Sequence, residues 1–151
     1  MGDFIKGVLI ENEEGATYEG RVYDRFLKLR LRDAQVLSIF DPFGPISTGL
    51  AEGNVYEMIL ITLATSVKYF ATVPLPPLAS DEWQATIIEP RWSAVEGQYR
   101  HACSELFTQK WLLLATPLGQ LLMSHKVLSI PVSPGGFVRW KNIRLDLCAV
   151  I

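Results

Sequence analysis

Hydrophobic and polar residues alternate along the stretch from residue 26 to residue 32. Leucines occupy positions 27, 29 and 31, and a lysine and two arginines stand at 28, 30 and 32. Because successive side chains of a β-strand point to opposite faces, this period of two predicts a half-buried strand whose exposed face is cationic. Residues 17–23 and 35–40 have a similar composition, so we expect three consecutive strands between residues 17 and 40.

A longer apolar run between residues 55 and 71 is rich in Val, Ile, Thr and Tyr, which predicts a long strand. Between residues 55 and 63 both faces of this strand are apolar, so both must be covered. Residues 111–114 are also apolar on both faces and need the same cover. The cover could come from the same chain or from a partner subunit, and we expect a homo-oligomer or another protein partner. The predicted interface residues are Tyr56, Met58, Leu60, Trp111 and Leu113.

The hydrophobic period changes between residues 94 and 107. There, apolar side chains such as Tyr99 and Leu106 recur at steps of three and four, which would place them on one face of a helix. Ser93 and Glu96 have the form of a capping box at its start. This pattern predicts one short helix over about residues 94–107.

Proline and glycine divide the rest of the chain into short strands. Residues 83–89 end before Pro90, residues 111–116 and 120–124 flank a Pro-Leu-Gly turn typical of a hairpin, and residues 137–151 form a last extended segment. Three prolines make residues 74–80 the best candidate for a break between two sub-units. The length of 151 residues fits one domain, so we expect a single β-barrel domain over residues 1–151.

The order of three strands, a helix and further strands resembles that of an OB fold. The segments that carry the resemblance are Gly20-Arg21-Val22, Leu29 to Ala34 and Glu52 to Tyr56. The resemblance implies a five-stranded Greek-key barrel of a kind that often binds oligonucleotides or oligosaccharides. The second half of the chain has more strand than such a barrel needs. We therefore predict a mainly β, OB-like Greek-key barrel with extra strands, either one larger barrel or two fused small ones.

Composition narrows the class of protein. Hydrophobic residues make up 49% of the chain and charged residues 20%, which excludes a disordered tail, and the net charge of −2 argues against a general polyelectrolyte binder. Two cysteines are too few for a disulfide scaffold. The first residues lack a signal-peptide core, and no apolar run approaches the roughly 20 residues that span a bilayer. These features predict a soluble cytoplasmic protein that does not bind membranes.

The cationic strand face suggests a second function, in binding single-stranded nucleic acid. Lys28, Arg30 and Arg32 have a spacing that suits a phosphate backbone, and Phe26, with Tyr23 nearby, could stack on bases. The same alternation is also typical of a solvated strand face that resists edge pairing, and nearby glutamates oppose phosphate binding. A second basic and aromatic cluster, in which the tryptophan is more typical of a core, consists of Arg139, Trp140, Lys141 and Arg144.

No residue pattern points to catalysis. The soft metal ligands, namely His101, Cys103, His125 and Cys148, match no zinc spacing. A nucleophile, a base and an orienting acid could be drawn from Ser104, His101 and Asp146, but nothing in the sequence brings them together. The sequence also has no nucleophile-elbow or phosphate-binding loop. We therefore expect a non-catalytic binding or assembly module without metal or cofactor. The alternatives are the nucleic-acid module and, less favoured, a small hydrolase or metal enzyme.

Overall fold

A computed structural model describes residues 3–43 and 46–151. Its strands, in chain order, are β1 (Ile5–Glu14), β2 (Thr17–Tyr18), β3 (Arg21–Val22), β4 (Arg25–Arg30), β5 (Val36–Asp41), β6 (Val55–Phe70), β7 (Glu82–Trp92), β8 (His101–Ala102), β9 (Trp111–Thr116), β10 (Gly119–Ser124) and β11 (Phe137–Val150). One short helix, α1 (Glu105–Thr108), and a 3₁₀ turn (His125–Val127) complete the elements. The fold is mainly β, as the alternating sequence predicts.

Five strands close a first ring. β1, β4 and β5 are antiparallel neighbours, and β6 returns to pair with the other side of β1, which gives the spatial order of a Greek key. β11 closes the ring because it pairs antiparallel with β6 and parallel with β5, where Leu145 lies opposite Ile39. The hairpin of β2 and β3 projects from the connection between β1 and β4.

A second ring shares β6 and β11 with the first. β7 pairs with β11, β9 with β7 and β10 with β9, all antiparallel, and β10 returns to β6 through the parallel pair Leu122 and Ile61. The extra strands predicted from the sequence are therefore inserted between β6 and β11. Buried residues on both sides of segment 74–80 belong to one hydrophobic cluster.

The shared position of β6 explains its two-sided apolar pattern. Met58, Ile59 and Leu60 are consecutive residues whose side chains alternate in direction, and all three are fully buried. β1, β10 and β11 pair with this strand, so its cover comes from the same chain. Val55 and Leu63, in contrast, remain exposed.

The helix predicted over residues 94–107 is wrong for most of its length. Residues 93–100 are irregular with a turn at residues 96–97, residues 101–102 form β8, and only Glu105–Thr108 is helical. Gly97 has a φ of +84°, a left-handed conformation that ends any helix. Tyr99 and Phe107 still meet, with ring centroids 6.0 Å apart, because the chain turns back on itself rather than because they share a helix face.

Two further strands differ from the prediction. No strand is predicted before residue 17, yet β1 begins at Ile5, and its buried residues Ile5, Gly7 and Leu9 have the period of two that would have revealed it. β7 was expected to stop before Pro90 but continues to Trp92. A register shift between Glu89 and Trp92 relative to β9 accommodates the proline, which has no amide proton to donate to the ladder.

Gly7 is expected to be essential for the close packing of β1. A Cβ atom at this position would lie 2.6 Å from the carbonyl oxygen of Arg30 and 2.9 Å from Cγ of Leu29. We expect Gly7→Ala to lower the free energy of unfolding by about 2 kcal/mol, measured by urea denaturation, because the backbone of β4 must move. Gly49→Ala is the matched control, since nothing lies within 4 Å of its added Cβ. Equal stability of the two variants would contradict the packing described here.

Candidate functional site

A large groove lies on the outer face of the first ring, across β1, β4, β5 and β11. Its volume is about 570 Å³. Phe26 and Lys28, two of the residues predicted to contact nucleic acid, line this aromatic groove. The complete lining consists of Glu11, Glu13, Asp24, Phe26, Leu27, Lys28, Ser38, Ile39, Phe40 and Arg144.

Two phenylalanines form the floor of the aromatic groove. Phe26 and Phe40 lie opposite each other on β4 and β5, with ring centroids 5.2 Å apart and planes inclined by 43°. Phe26 is 53% exposed, so its ring is accessible to a ligand. The exposed Phe26 ring offers an apolar face to a planar ligand, and the half-buried Phe40 ring packs beside it at an angle.

Arg144 closes one side of the aromatic groove. Its guanidinium carbon lies 4.6 Å from the centre of the Phe40 ring, and its Nε and Nη2 atoms donate to the two carboxylate oxygens of Asp146 at 2.7 and 3.2 Å. These hydrogen bonds raise the pKa of Arg144, so the group remains charged. The carboxylate fixes the plane of the guanidinium over the aromatic ring.

The predicted cations continue from the aromatic groove along β4. Lys28 lies at the groove, where its Nζ is 3.5 Å from a carboxylate oxygen of Glu11; both side chains are well exposed, so the pair is weak. Arg30 points to solvent at the end of β4, and Arg32 lies in the turn that follows rather than on the strand. Within the described part of the chain, neither arginine forms an ion pair.

Arg30 and Arg32 line a second depression together with Lys6 of β1. This basic recess, formed by Lys6, Gly7, Val8, Arg30, Leu31, Arg32 and Val55, has a volume of about 430 Å³. Lys6 was not predicted from the sequence, because its strand was missed. The β1–β4 register, in which Val8 lies opposite Arg30, brings it to the same end of the face.

Acidic residues occupy the opposite end of the same outer face. Glu13 lies opposite Phe26 in the β1–β4 register, and Asp24 precedes β4. Asp24 also has a structural task, because its Oδ1 accepts a hydrogen bond of 2.6 Å from the amide of Ala16 and so holds the base of the β2–β3 hairpin. The charge on this outer face therefore changes along the strands, from acidic beside the aromatic residues to basic at the other end.

Two more aromatic residues are Tyr18 on β2 and Tyr23, which follows β3. Tyr18 is 65% exposed and Tyr23 is 45% exposed, and the guanidinium carbon of Arg21 lies 5.2 Å from the centre of the Tyr23 ring. Tyr23 is one of the stacking residues suggested by the sequence, and its ring is accessible to a base. Its hairpin joins the first and second strands of the ring.

The predicted interface residues lie in the interior instead. Met58 and Leu60 are completely buried, and the other three are nearly so. The chain itself covers them, since β6 is shared by both rings and β9 lies between β7 and β10. A second copy could reach this set only if the fold opened. The residues concerned are Tyr56, Met58, Leu60, Trp111 and Leu113.

The second basic and aromatic cluster is divided by the fold. Trp140 is fully buried, and Arg139 is buried with its Nε donating to Gln84 Oε1 at 2.8 Å. Lys141 forms an exposed ion pair of 3.2 Å with Asp81. Only Arg144 reaches the aromatic groove, so these four residues do not form one site.

The residues considered for catalysis or metal binding are not gathered into a site. In residues 3–43 and 46–151, no group of three or more His, Cys, Asp or Glu side chains is placed to hold a metal ion. His101 is exposed on β8, and His125 lies in the 3₁₀ turn, where its Nδ1 is buried without a hydrogen-bond partner. Cys103 and Cys148, however, are in contact.

The described segments also contain no helix that is both long and apolar enough to cross a membrane.

Comparison with known proteins finds no family model that matches this chain, and no curated protein or solved structure with significant similarity to it. Function is therefore inferred from the residues of the chain itself.

Proposed function

We propose that this protein is a non-catalytic binding module that holds a short segment of single-stranded nucleic acid across the aromatic groove and the basic recess. The observation that carries the proposal is the exposed Phe26 ring beside the half-buried Phe40, on the same outer face as Lys28 and Arg30, with Arg32 in the turn that follows β4. Neighbouring aromatic and cationic side chains are the combination that single-strand binders use.

The topology supports this choice of face. In chain order, the strands of the first ring are β1, β4, β5, β6 and β11, with β6, β1, β4 and β5 in Greek-key order. We interpret this ring as an OB-like barrel. OB folds bind oligonucleotides on the face of their second and third strands and on the loop between the first and second. Here those parts are β4, β5 and the β2–β3 hairpin, which carry the exposed aromatic residues.

The position of β4 also weakens the alternative explanation of its cations. Alternating charges protect exposed sheet edges from pairing with other chains, but β4 pairs with β1 on one side and with β5 on the other. Its lysine and arginines therefore have no edge to protect. Solvation alone would not require an exposed phenylalanine beside them.

The charges predict how a strand would lie. A base would stack on Phe26, beside the Phe40 ring that Arg144 covers, while phosphates would be held by Lys28 and by the cations of the basic recess, Lys6, Arg30 and Arg32. Lys28 can exchange its weak partner Glu11 for a phosphate at little cost, because both groups are solvated. Glu13 and Asp24 would repel phosphate at the other end, so the strand would run toward the basic recess.

The direct test is fluorescence anisotropy with a labelled oligothymidylate of about 12 nucleotides. We expect saturable binding whose logarithm of affinity falls with the logarithm of salt concentration at a slope of about −3, as four phosphate contacts to a single strand, from Lys28 and the three cations of the basic recess, produce. Duplex DNA of the same length should bind more weakly, because its bases are stacked on each other. Absence of binding at low salt would overturn the proposed function.

Phe26→Ala is expected to weaken oligothymidylate binding about tenfold at every salt concentration, because one stacking platform is lost while the phosphate contacts remain. The salt slope should therefore not change. Ile143→Ala serves as a control, since Ile143 is also a large exposed apolar residue but does not line the aromatic groove. Similar losses of affinity in both variants would contradict a specific role for Phe26.

A further inference from the structure

The two cysteines of the chain lie side by side in the interior, far apart in sequence. Cys103 follows β8 and Cys148 lies on β11, and their Sγ atoms are 2.7 Å apart. The amide of Cys103 donates to the carbonyl oxygen of Cys148 at 2.8 Å. Both residues are buried, and both thiols are free in this structure. This contact plays no part in the proposed nucleic-acid site.

The backbone already has the geometry of a cross-link. Ala102 lies opposite Ala149 in the antiparallel β8–β11 pair, so Cys103 lies opposite Cys148 at the next position. Hydrogen-bonded opposite residues of antiparallel strands have Cα atoms about 5.5 Å apart, within the roughly 4.4–6.8 Å that a disulfide spans. Formation of the bond would bring the two sulfur atoms from 2.7 Å to about 2.05 Å, within a backbone pairing whose spacing suits a disulfide.

We propose that Cys103 and Cys148 form a reversible intramolecular disulfide that fastens β8 and α1 to β11. β8 pairs with β11 through only two residues, so the segment of β8 and α1 has few other backbone contacts with the sheet. The disulfide would close a covalent loop across a sequence separation of 45 residues, and so restrict the unfolded chain.

Cys103 is the residue that reacts first. It is 5% exposed and is followed by the exposed residues Ser104 and Glu105, whereas Cys148 is completely buried. Either thiol can donate the hydrogen bond between them, and Cys148 donates when Cys103 is ionised; this hydrogen bond lowers the pKa of Cys103, and together with burial it raises the pKa of Cys148. The thiolate form of Cys103 is therefore the favoured nucleophile.

The oxidant in this reaction is a low-molecular-weight disulfide, RSSR. The Cys103 thiolate attacks one sulfur of RSSR and releases RS⁻, which leaves a mixed disulfide on Cys103. Cys148 then gives its proton to the released thiolate and attacks Sγ of Cys103, which expels the second RS⁻. Two protein thiols are oxidised to one disulfide, and RSSR is reduced to two thiols once the second RS⁻ takes up the proton that Cys103 lost.

The test is incubation of the folded full chain with oxidised glutathione, followed by denaturation and alkylation of the remaining thiols. We expect neither cysteine to be alkylated, an intact mass lower by two hydrogen atoms, and a melting temperature about 10 °C higher than in dithiothreitol. Dithiothreitol should reverse all three changes. Two alkylated cysteines after incubation, or a disulfide found only between chains, would overturn the proposal.

Single variants test which cysteine reacts first. Cys148→Ala should stop at the mixed disulfide, so glutathione remains attached to Cys103. Cys103→Ser should acquire no glutathione, because the remaining thiol is inaccessible. The double variant should show no difference in melting temperature between oxidising and reducing conditions. A persistent difference in the double variant would show that the stabilisation of the wild-type protein does not come from this bond.

Discussion

Simultaneous replacement of Lys28, Arg30 and Arg32 by alanine is expected to weaken oligothymidylate binding about 100-fold at about 0.1 M salt. Each phosphate contact to a single strand contributes about 0.7 to the salt slope, so the loss of three contacts removes a slope of about 2. The variant should therefore keep a slope of only about −0.7, from the phosphate contact that Lys6 still makes. Fluorescence anisotropy across a series of salt concentrations measures both the affinity and the slope.

A matched triple variant separates local contacts from total charge. Arg91, Arg100 and Lys126 are exposed cations that line neither the aromatic groove nor the basic recess. Their replacement by alanine removes the same charge but should change the affinity only severalfold, through the general field of the protein. If both triple variants lost affinity equally, the cations of β4 and its turn would have no special role.

Trp140→Ala is expected to have the largest effect on stability, a loss of about 4 kcal/mol in the free energy of unfolding. Trp140 is the largest fully buried side chain and lies on β11, which belongs to both rings. Its ring centroid lies 5.9 Å from that of Trp83 on β7, and its Nε1 donates to Thr62 Oγ1 on β6 at 2.9 Å. Truncation therefore leaves a large cavity where three strands meet.

Two comparisons make this stability measurement specific. Trp140→Phe should cost less, about 2 kcal/mol, because it keeps an aromatic ring but removes the hydrogen bond to Thr62. Tyr18→Ala removes an exposed aromatic side chain and should change stability by less than about 0.5 kcal/mol. Urea denaturation gives all three values. A loss of under about 1 kcal/mol for Trp140→Ala would contradict the central position of this residue in the core.

Local patterns predicted the elements whose period is regular, and failed where tertiary contacts decide. The alternation of β4 and the Pro-Leu-Gly hairpin between β9 and β10 follow from neighbouring residues alone, and both are present. The spacing of Tyr99 and Leu106 resembles that of a helix. However, the positive φ of Gly97 and the pairing of β8 with β11 prevent a helix from forming there. Ring closure through β5 and β11 joins residues about a hundred positions apart, so no local pattern could reveal it.

The candidate site could be predicted only where its residues share one strand, because contacts between strands are not visible in local patterns. Phe26 and Lys28 were identified from one strand, because a single strand places them on its exposed face. Phe40, Arg144 and Lys6 come from three other strands, and only the registers of the sheet bring them near β4. The predicted self-association surface was assigned to Tyr56 and its neighbours because a lone small barrel covers one face of a strand. β6 instead belongs to two rings, so the chain provides the missing cover.

Backbone amide NMR of the ¹⁵N-labelled protein, titrated with unlabelled oligothymidylate at low salt, tests most directly whether the outer face of the first ring binds nucleic acid. We predict that the shifted resonances map to β4, β5, the β2–β3 hairpin and the basic recess, while those of β7, β9 and β10 stay unchanged. Shifts confined to the strands of the second ring, or no shifts at oligonucleotide concentrations well above micromolar, would contradict the account.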